Sequence, residues 1–381
     1  MSRRSAVRVI VAPNALKGSL SAFQAAEAMA RGVRAAAPDA EIALLPIADG
    51  GDGTSAVLSA ARAGAARETI VPDPLGRPVR ASYALLDDGK TAALDVASAS
   101  GLSLLESHER DPLVASSRGT GKLISAALDA GAETIIVGVG GSATVDGGAG
   151  LLAALGVALL DANGAPIQAG GSALARLARI ELGRIHPALS RVKLRVACDV
   201  DSPLLGKHGA ARMFGPQKGA DADAVLELER NLSHFADLIQ RTTGRDVRSV
   251  VSGGAAGGIA AGLFGVLGAQ LESGIDLMLD ALGFERVLQG ASLVLTAEGL
   301  FDAQSLRNKG PCGVARWAKR RGVPAVALAG GIADELQASD FPDFAAVFSI
   351  CRRPMPVPEA MARSAELLQS VSESVVRVFL A

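Results

Sequence analysis

The run Ala48-Asp49-Gly50-Gly51-Asp52-Gly53-Thr54 sets two carboxylates among three glycines, directly after the apolar stretch 42–47. A short apolar stretch ending in acid and glycine predicts a buried strand that delivers carboxylates into a tight loop. Glycines let the backbone turn and let a ligand approach the amides closely. Aspartates offer the hard oxygen donors that Mg²⁺ takes. The same design recurs at Val137-Gly138-Val139-Gly140-Gly141-Ser142, at Asp146-Gly147-Gly148, and at Thr296-Ala297-Glu298-Gly299 with Asp302. Strands that end repeatedly in glycine and carboxylate suit a phosphorylated ligand and its metal. That chemistry is an enzyme's.

Other residues add cations and a base. Lys17 precedes a predicted helix, where a cation opposes the helix dipole; a phosphate or carboxylate partner explains it better than a solvated turn does. Arg118, in Arg118-Gly119-Thr120-Gly121-Lys122, reads equally as a helix start or a ligand contact. This stretch is no Walker loop, because Leu123 stands where Ser or Thr is needed. Asp199 follows a short strand and reads as a general base ahead of a mere turn former. Lys309, beside Gly310-Pro311, contacts a phosphate or sits in a solvated turn, and Asp276 reads as a site residue or a helix cap. The loop Gly140-Gly141-Ser142 fits backbone amides gripping nucleotide phosphates better than a dinucleotide fingerprint, despite Asp161 downstream. His108, His186, His208 and His234 have no metal spacing. Cys198 and Cys312 have no histidine nearby in sequence, so covalent catalysis is not indicated.

The elements that position these groups alternate. Strands are expected at 7–12 and 42–47 and helices at 21–36, with Ser19 or Ser21 as N-cap, and at 54–63. This β-α-β-α opening predicts a doubly wound parallel sheet, whose functional loops lie at the carboxyl ends of its strands. Near residue 69 prolines crowd in, and 79–86 with 91–96 read as a hairpin about Asp87-Asp88-Gly89. Alternation resumes with helix 120–130 and strands at 134–139 and 194–198. Helix 221–242 follows, then strands at 293–296, 325–328 and 345–350. The expected organisation is two α/β domains: 1–70 with 285–381 sharing one flavodoxin-like sheet, and 71–284 inserted.

With 381 residues, a net charge of −1 and one Trp, the chain has neither the basic stripe nor the stacking surfaces of a nucleic-acid binder. Three scattered cysteines suggest neither zinc nor disulfides and fit a cytoplasmic protein. Segment 249–271 carries no charge and is long enough to span a bilayer. Its glycines favour instead a buried loop leading into a core helix, with no membrane role.

Taken together, the segments resemble the bacterial glycerate kinase family of the first type. The resemblance rests on 12–21, 48–54, Ser117-Arg118-Gly119-Thr120-Gly121, 140–148 and Ala197-Cys198-Asp199-Val200. It continues through Phe214-Gly215-Pro216-Gln217-Lys218-Gly219-Ala220, 252–258, and Glu298-Gly299 with Asp302, Gln304, Lys309 and Pro311, so it spans nearly the whole chain. The chain departs from the family at Asn14-Ala15, Asp52 and Leu300, where the family often has Asp-Ser, Glu and Arg. The resemblance implies ATP-dependent phosphorylation of D-glycerate, with Mg²⁺ among Asp49, Asp52 and Glu298 and Asp302 as a further ligand. It places ATP phosphates at Gly140-Gly141-Ser142 or at Gly253-Gly254, with Lys309 as a further phosphate contact. Lys17 and Arg118 grip the carboxylate or the phosphoryl group, and Asp199 takes the hydroxyl proton. It implies 2-phosphoglycerate as product, with 3-phosphoglycerate open. A nicotinamide-dependent oxidoreductase and a non-catalytic sensor of small acids are the rival readings, and homo-oligomerisation is open.

Overall fold

The structure, a computed structural model, describes residues 7–48, 53–303, 305–306 and 309–381. Its strands are β1 (Arg8–Val11), β2 (Glu41–Leu44), β3 (Ala65–Pro72), β4 (Pro78–Leu85), β5 (Thr91–Asp95), β6 (Thr134–Gly138) and β7 (Ala158–Leu160). They continue with β8 (Arg179–Glu181), β9 (Lys193–Cys198), β10 (Gln270–Ser273), β11 (Leu293–Phe301), β12 (Ala325–Ile332) and β13 (Ala346–Ser349). The chain divides into two compact units, one of Met1–Asp49 with Ile275–Ala381 and one of Gly50–Gly274.

The first unit is a parallel sheet in the order β13-β12-β11-β1-β2. Counted along this unit alone the order is 2-1-3-4-5, the flavodoxin-like doubly wound arrangement, with its switch point between β1 and β11. Strands covered on both faces read as unbroken apolar runs, and Val9, Ile10 and Val11 are fully buried. Helix Ala22–Ala36 starts with a reciprocal cap: Ser21 Oγ accepts from the Gln24 amide, and Gln24 Oε1 accepts from the Ser21 amide. Ser21, rather than Ser19, is therefore the N-cap. This helix crosses the C-terminal helix Ser364–Leu380 at Gly32, where a Cβ would lie 2.1 Å from the Gln369 carbonyl oxygen.

The second unit carries a mixed sheet, β10-β9-β6-β5-β4-β3. β10, β9, β6 and β5 run parallel, and β4 and β3 extend the sheet antiparallel. The expected hairpin is β4–β5; β3 was not expected, and it pairs with β4 along its whole length. Both unit boundaries fall earlier than the expected 70 and 285. Helix Thr54–Ala61 packs on β4 and β5, and β3 belongs to their sheet, so both go with the middle of the chain. At the other end, helix Gly274–Ala281 joins the first unit: Asp276 accepts from Arg316 Nη2 at 2.7 Å and Trp317 Nε1 at 2.8 Å. Segment 249–271 forms turns, a short 3₁₀ stretch Ala255–Gly258 and helix Ile259–Leu267. Among the described residues no helix is long and apolar enough to cross a membrane.

Candidate active site

In the first unit a cavity of about 810 Å³ opens at the carboxyl ends of β1, β11 and β12. This is the switch-point position, where doubly wound sheets bind ligands. Lys17 reaches it from the loop after β1. Leu16 and Leu20 exchange two backbone hydrogen bonds of 2.9 Å, closing that loop and leaving Lys17 exposed at its tip. Ser19 Oγ donates to the Met361 carbonyl at 2.9 Å, tying the loop to the C-terminal helices. Glu298 and Asp302 come from the end of β11 and just beyond. β11 is fixed against β1 by the Asn14 amide donating to the Ala297 carbonyl (2.9 Å) and by Thr296 Oγ1 donating to the Ala12 carbonyl (2.7 Å). Lys309 is the N-cap of helix Gly310–Arg320, whose first amides have no partners inside the helix. Lys17, Lys309, Glu298 and Asp302 thus line one cavity, with Met355, Val357 and Met361 supplying an apolar wall. Two cations and a helix start favour an anion; two carboxylates offer oxygen-only ligation of the kind Mg²⁺ takes. Asp302 also accepts from the Ser305 amide at 2.9 Å, which holds the turn after β11. Asp49 and Asp52 lie outside the described residues.

In the second unit the carboxyl ends of β6 and β9 stand level, since Gly138 and Ala197 are register partners. Gly140 and Asp199 each lie two residues beyond that pair. The Gly140-Gly141-Ser142 loop is fixed from its outer side: the Leu102 amide donates to Gly141 O at 2.8 Å, and the Ala143 amide to Ser100 O at 2.9 Å. Ser100 Oγ in turn accepts from Thr120 Oγ1 at 2.8 Å, linking this loop to helix Arg118–Asp129. Arg118 heads that helix with an exposed side chain. No acceptor among the described residues takes the amides of Gly140, Gly141 and Ser142. From below, Lys218 Nζ donates to Ser142 Oγ and to the Thr144 carbonyl, both at 2.8 Å. Burial pushes the Lys218 ammonium down to about 7, against the pull of Asp146. Asp146, fully buried, accepts from the Ser117 hydroxyl and from the amides of Ser117, Gly148 and Gly150. Three of these donors converge on Oδ2 and one reaches Oδ1, so Asp146 organises the loop. Burial raises the Cys198 and Cys312 thiols to about 12, which leaves neither as a thiolate nucleophile.

The sequence profile of the Glycerate kinase family matches residues 9–380. The glycerate kinase of Bacillus subtilis (strain 168) is 46% identical over 369 residues, covering 97% of each chain. The glycerate 2-kinase of Escherichia coli (strain K12) is 46% identical over 344 residues, 90% of each. The crystal structure assigned to glycerate kinase 2 from Salmonella typhimurium LT2 superposes with a TM-score of 0.88 at 42% identity, covering 98% of both chains. The chain belongs to the glycerate kinase family. It is a kinase with a two-domain α/β fold.

Within this glycerate kinase family fold, Lys17, Glu298, Asp302 and Lys309 share one cavity, and Gly140, Gly141, Ser142 and Asp199 share one sheet end. Gly253 and Gly254, the other expected phosphate contacts, are engaged within the fold. Their amides donate to Val250 O and Ser202 O, both at 2.9 Å, and a Cβ on Gly254 would lie 2.3 Å from Pro203 O. That loop interlocks with the neighbouring one, the Gly147 amide donating to Gly257 O at 3.0 Å, so its glycines allow close packing and offer no amide cradle. Asp276, in the first turn of its helix, pairs with Arg316. Sequence reading missed Lys218. Its segment was legible, but nothing in the spacing tells a buried lysine from a solvated one.

Proposed function

We propose that this kinase transfers the γ-phosphoryl group of ATP, with Mg²⁺, to the 2-hydroxyl of D-glycerate. The observation that carries this reading is the switch-point cavity that joins two lysines, two carboxylates and a helix start. Phosphoryl transfer asks for positioning and charge neutralisation rather than covalent chemistry, and these residues supply both. Lys17 holds the glycerate carboxylate or the migrating phosphoryl group, as does Arg118, and Lys309 with the helix start neutralises phosphate oxygens. Glu298 and Asp302 hold Mg²⁺ together with Asp49 and Asp52; the ion, when bound, screens the charge of the transferring phosphate. The amides of Gly140-Gly141-Ser142 cradle ATP phosphates, and Asp199 accepts the proton of the attacking hydroxyl. The 2-hydroxyl is favoured by the name of the Escherichia coli relative, a glycerate 2-kinase at 46% identity. Incubation with D-glycerate, Mg-ATP and enolase, without mutase, tests it: prompt phosphoenolpyruvate is expected. A product that enolase ignores would make 3-phosphoglycerate the answer, and no ADP at all would end the kinase assignment for this substrate.

A further inference from the structure

Lys218 is 2% exposed, yet no carboxylate among the described residues lies within ion-pair distance of its ammonium. Its two bonds go to neutral oxygens, Ser142 Oγ and Thr144 O. A buried lone charge is costly, and a methionine of similar length would fill the space without that cost. Stability does not explain the residue. Its hydrogen bonding does. An ammonium only donates, so Ser142 Oγ must accept from it, and the serine hydrogen is forced to point elsewhere. The hydroxyl thereby joins the amides of Gly140, Gly141 and Ser142, which have no acceptors among the described residues, as a set of donors. The segment carrying Lys218 is itself held rigidly: Pro216–Lys218 is a 3₁₀ turn, and Gly219 presses so closely on Arg110 that a Cβ would lie 2.0 Å from its carbonyl oxygen. The charge that acts on it electrostatically is Asp146, whose oxygens accept from Ser117, Gly148 and Gly150.

We propose that Lys218 is a positioning residue that turns the Gly140–Ser142 loop into a donor-only anion site for nucleotide phosphate, acting through Ser142 and placing a positive charge beneath it. This rests on the phosphate-binding reading of that loop and names the residue that makes it selective for anions. The ammonium and the phosphate stabilise each other, so the affinity for phosphate falls as Lys218 loses its proton above about pH 7.

The experiment measures Mg-ADP binding by calorimetry, alongside KM values for ATP and D-glycerate, in the wild-type protein and in Lys218→Met. A tenfold or greater loss of Mg-ADP affinity is expected, with KM for glycerate changed less than twofold. The wild type should bind ADP more weakly as pH rises from 6.5 to 8.5 by a factor that Lys218→Met lacks; a purely structural lysine would leave the two pH profiles parallel. A folded Lys218→Met with Mg-ADP affinity within twofold of wild type overturns the proposal. Should that variant fail to fold, Ser142→Ala, which removes only the oriented hydroxyl, decides: unchanged Mg-ADP affinity overturns it and a several-fold selective loss supports it. Because ADP binding is read directly, a protein that binds ADP through Lys218 but ignores glycerate would sink the substrate assignment and leave this inference standing.

Discussion

Residue by residue, the chemistry depends on a few side chains whose surroundings set their roles. Asp199 stands half-buried just past β9, level with the Gly140 loop. If Asp199 is the general base proposed above, Asp199→Asn should lower kcat by about 10²–10⁴-fold while KM for both substrates moves only a few-fold; steady-state kinetics reads this split. Lys218 predicts a pH effect on stability that is separate from its effect on binding. Its folded value lies near 7, and the unfolded chain holds that proton up to the ordinary lysine value of 10.5. Between those limits the unfolded state binds more protons, so unfolding free energy should rise with pH from about 7 to 10.5. The penalty is complete below that window and gone above it. Urea titrations across the range should show the slope in the wild type and lose it in Lys218→Met.

At the level of elements, what sequence could show was periodicity. Apolar runs announced β1, β6, β9 and β11, although Arg195 interrupts β9, and a serine at 19 or 21 announced the helix start, because strand burial and capping are local properties. β3 escaped because its outer residues are exposed and prolines follow it; its identity comes from pairing with β4, which no local pattern encodes. The site shows the same division. Lys17, Glu298, Asp302 and Lys309 stood out as charged residues at strand ends or helix starts, and they line one cavity. Gly253 and Gly254 looked like a phosphate loop because glycine marks close approach of any backbone, and the backbone that approaches Gly254 is that of Pro203. Gly254→Ala should therefore cost about 1–3 kcal/mol of stability through overpacking, read by chemical denaturation. At the helix start, Ser21→Ala should cost about 1 kcal/mol, the usual worth of a cap, with kinetics unchanged.

For the whole molecule, each unit has an apolar core of its own, one around Val11, Met29 and Leu295 and one around Leu94, Ile135 and Phe235. Glu298 and Asp302, two of the carboxylates proposed to hold Mg²⁺, stand near the end of β11 and just beyond it and belong to neither core. Chelation by EDTA should therefore abolish turnover while far-UV circular dichroism and the melting temperature stay within a few degrees, and added Mg²⁺ should restore activity. The first sheet has a further consequence for biosynthesis. Its central strand β11 is encoded some 250 residues after β2, at the far side of the entire second unit. On the ribosome β1, helix Ala22–Ala36 and β2 emerge as a β-α-β fragment that lacks the sheet's central strand and its other neighbours. They must wait, with one edge of β1 unpaired, until more than three-quarters of these 381 residues have been translated. The middle unit is thus free to form co-translationally while the amino terminus depends on holding factors, and a stop codon shortly before β11 should yield a soluble middle carrying an aggregation-prone leader.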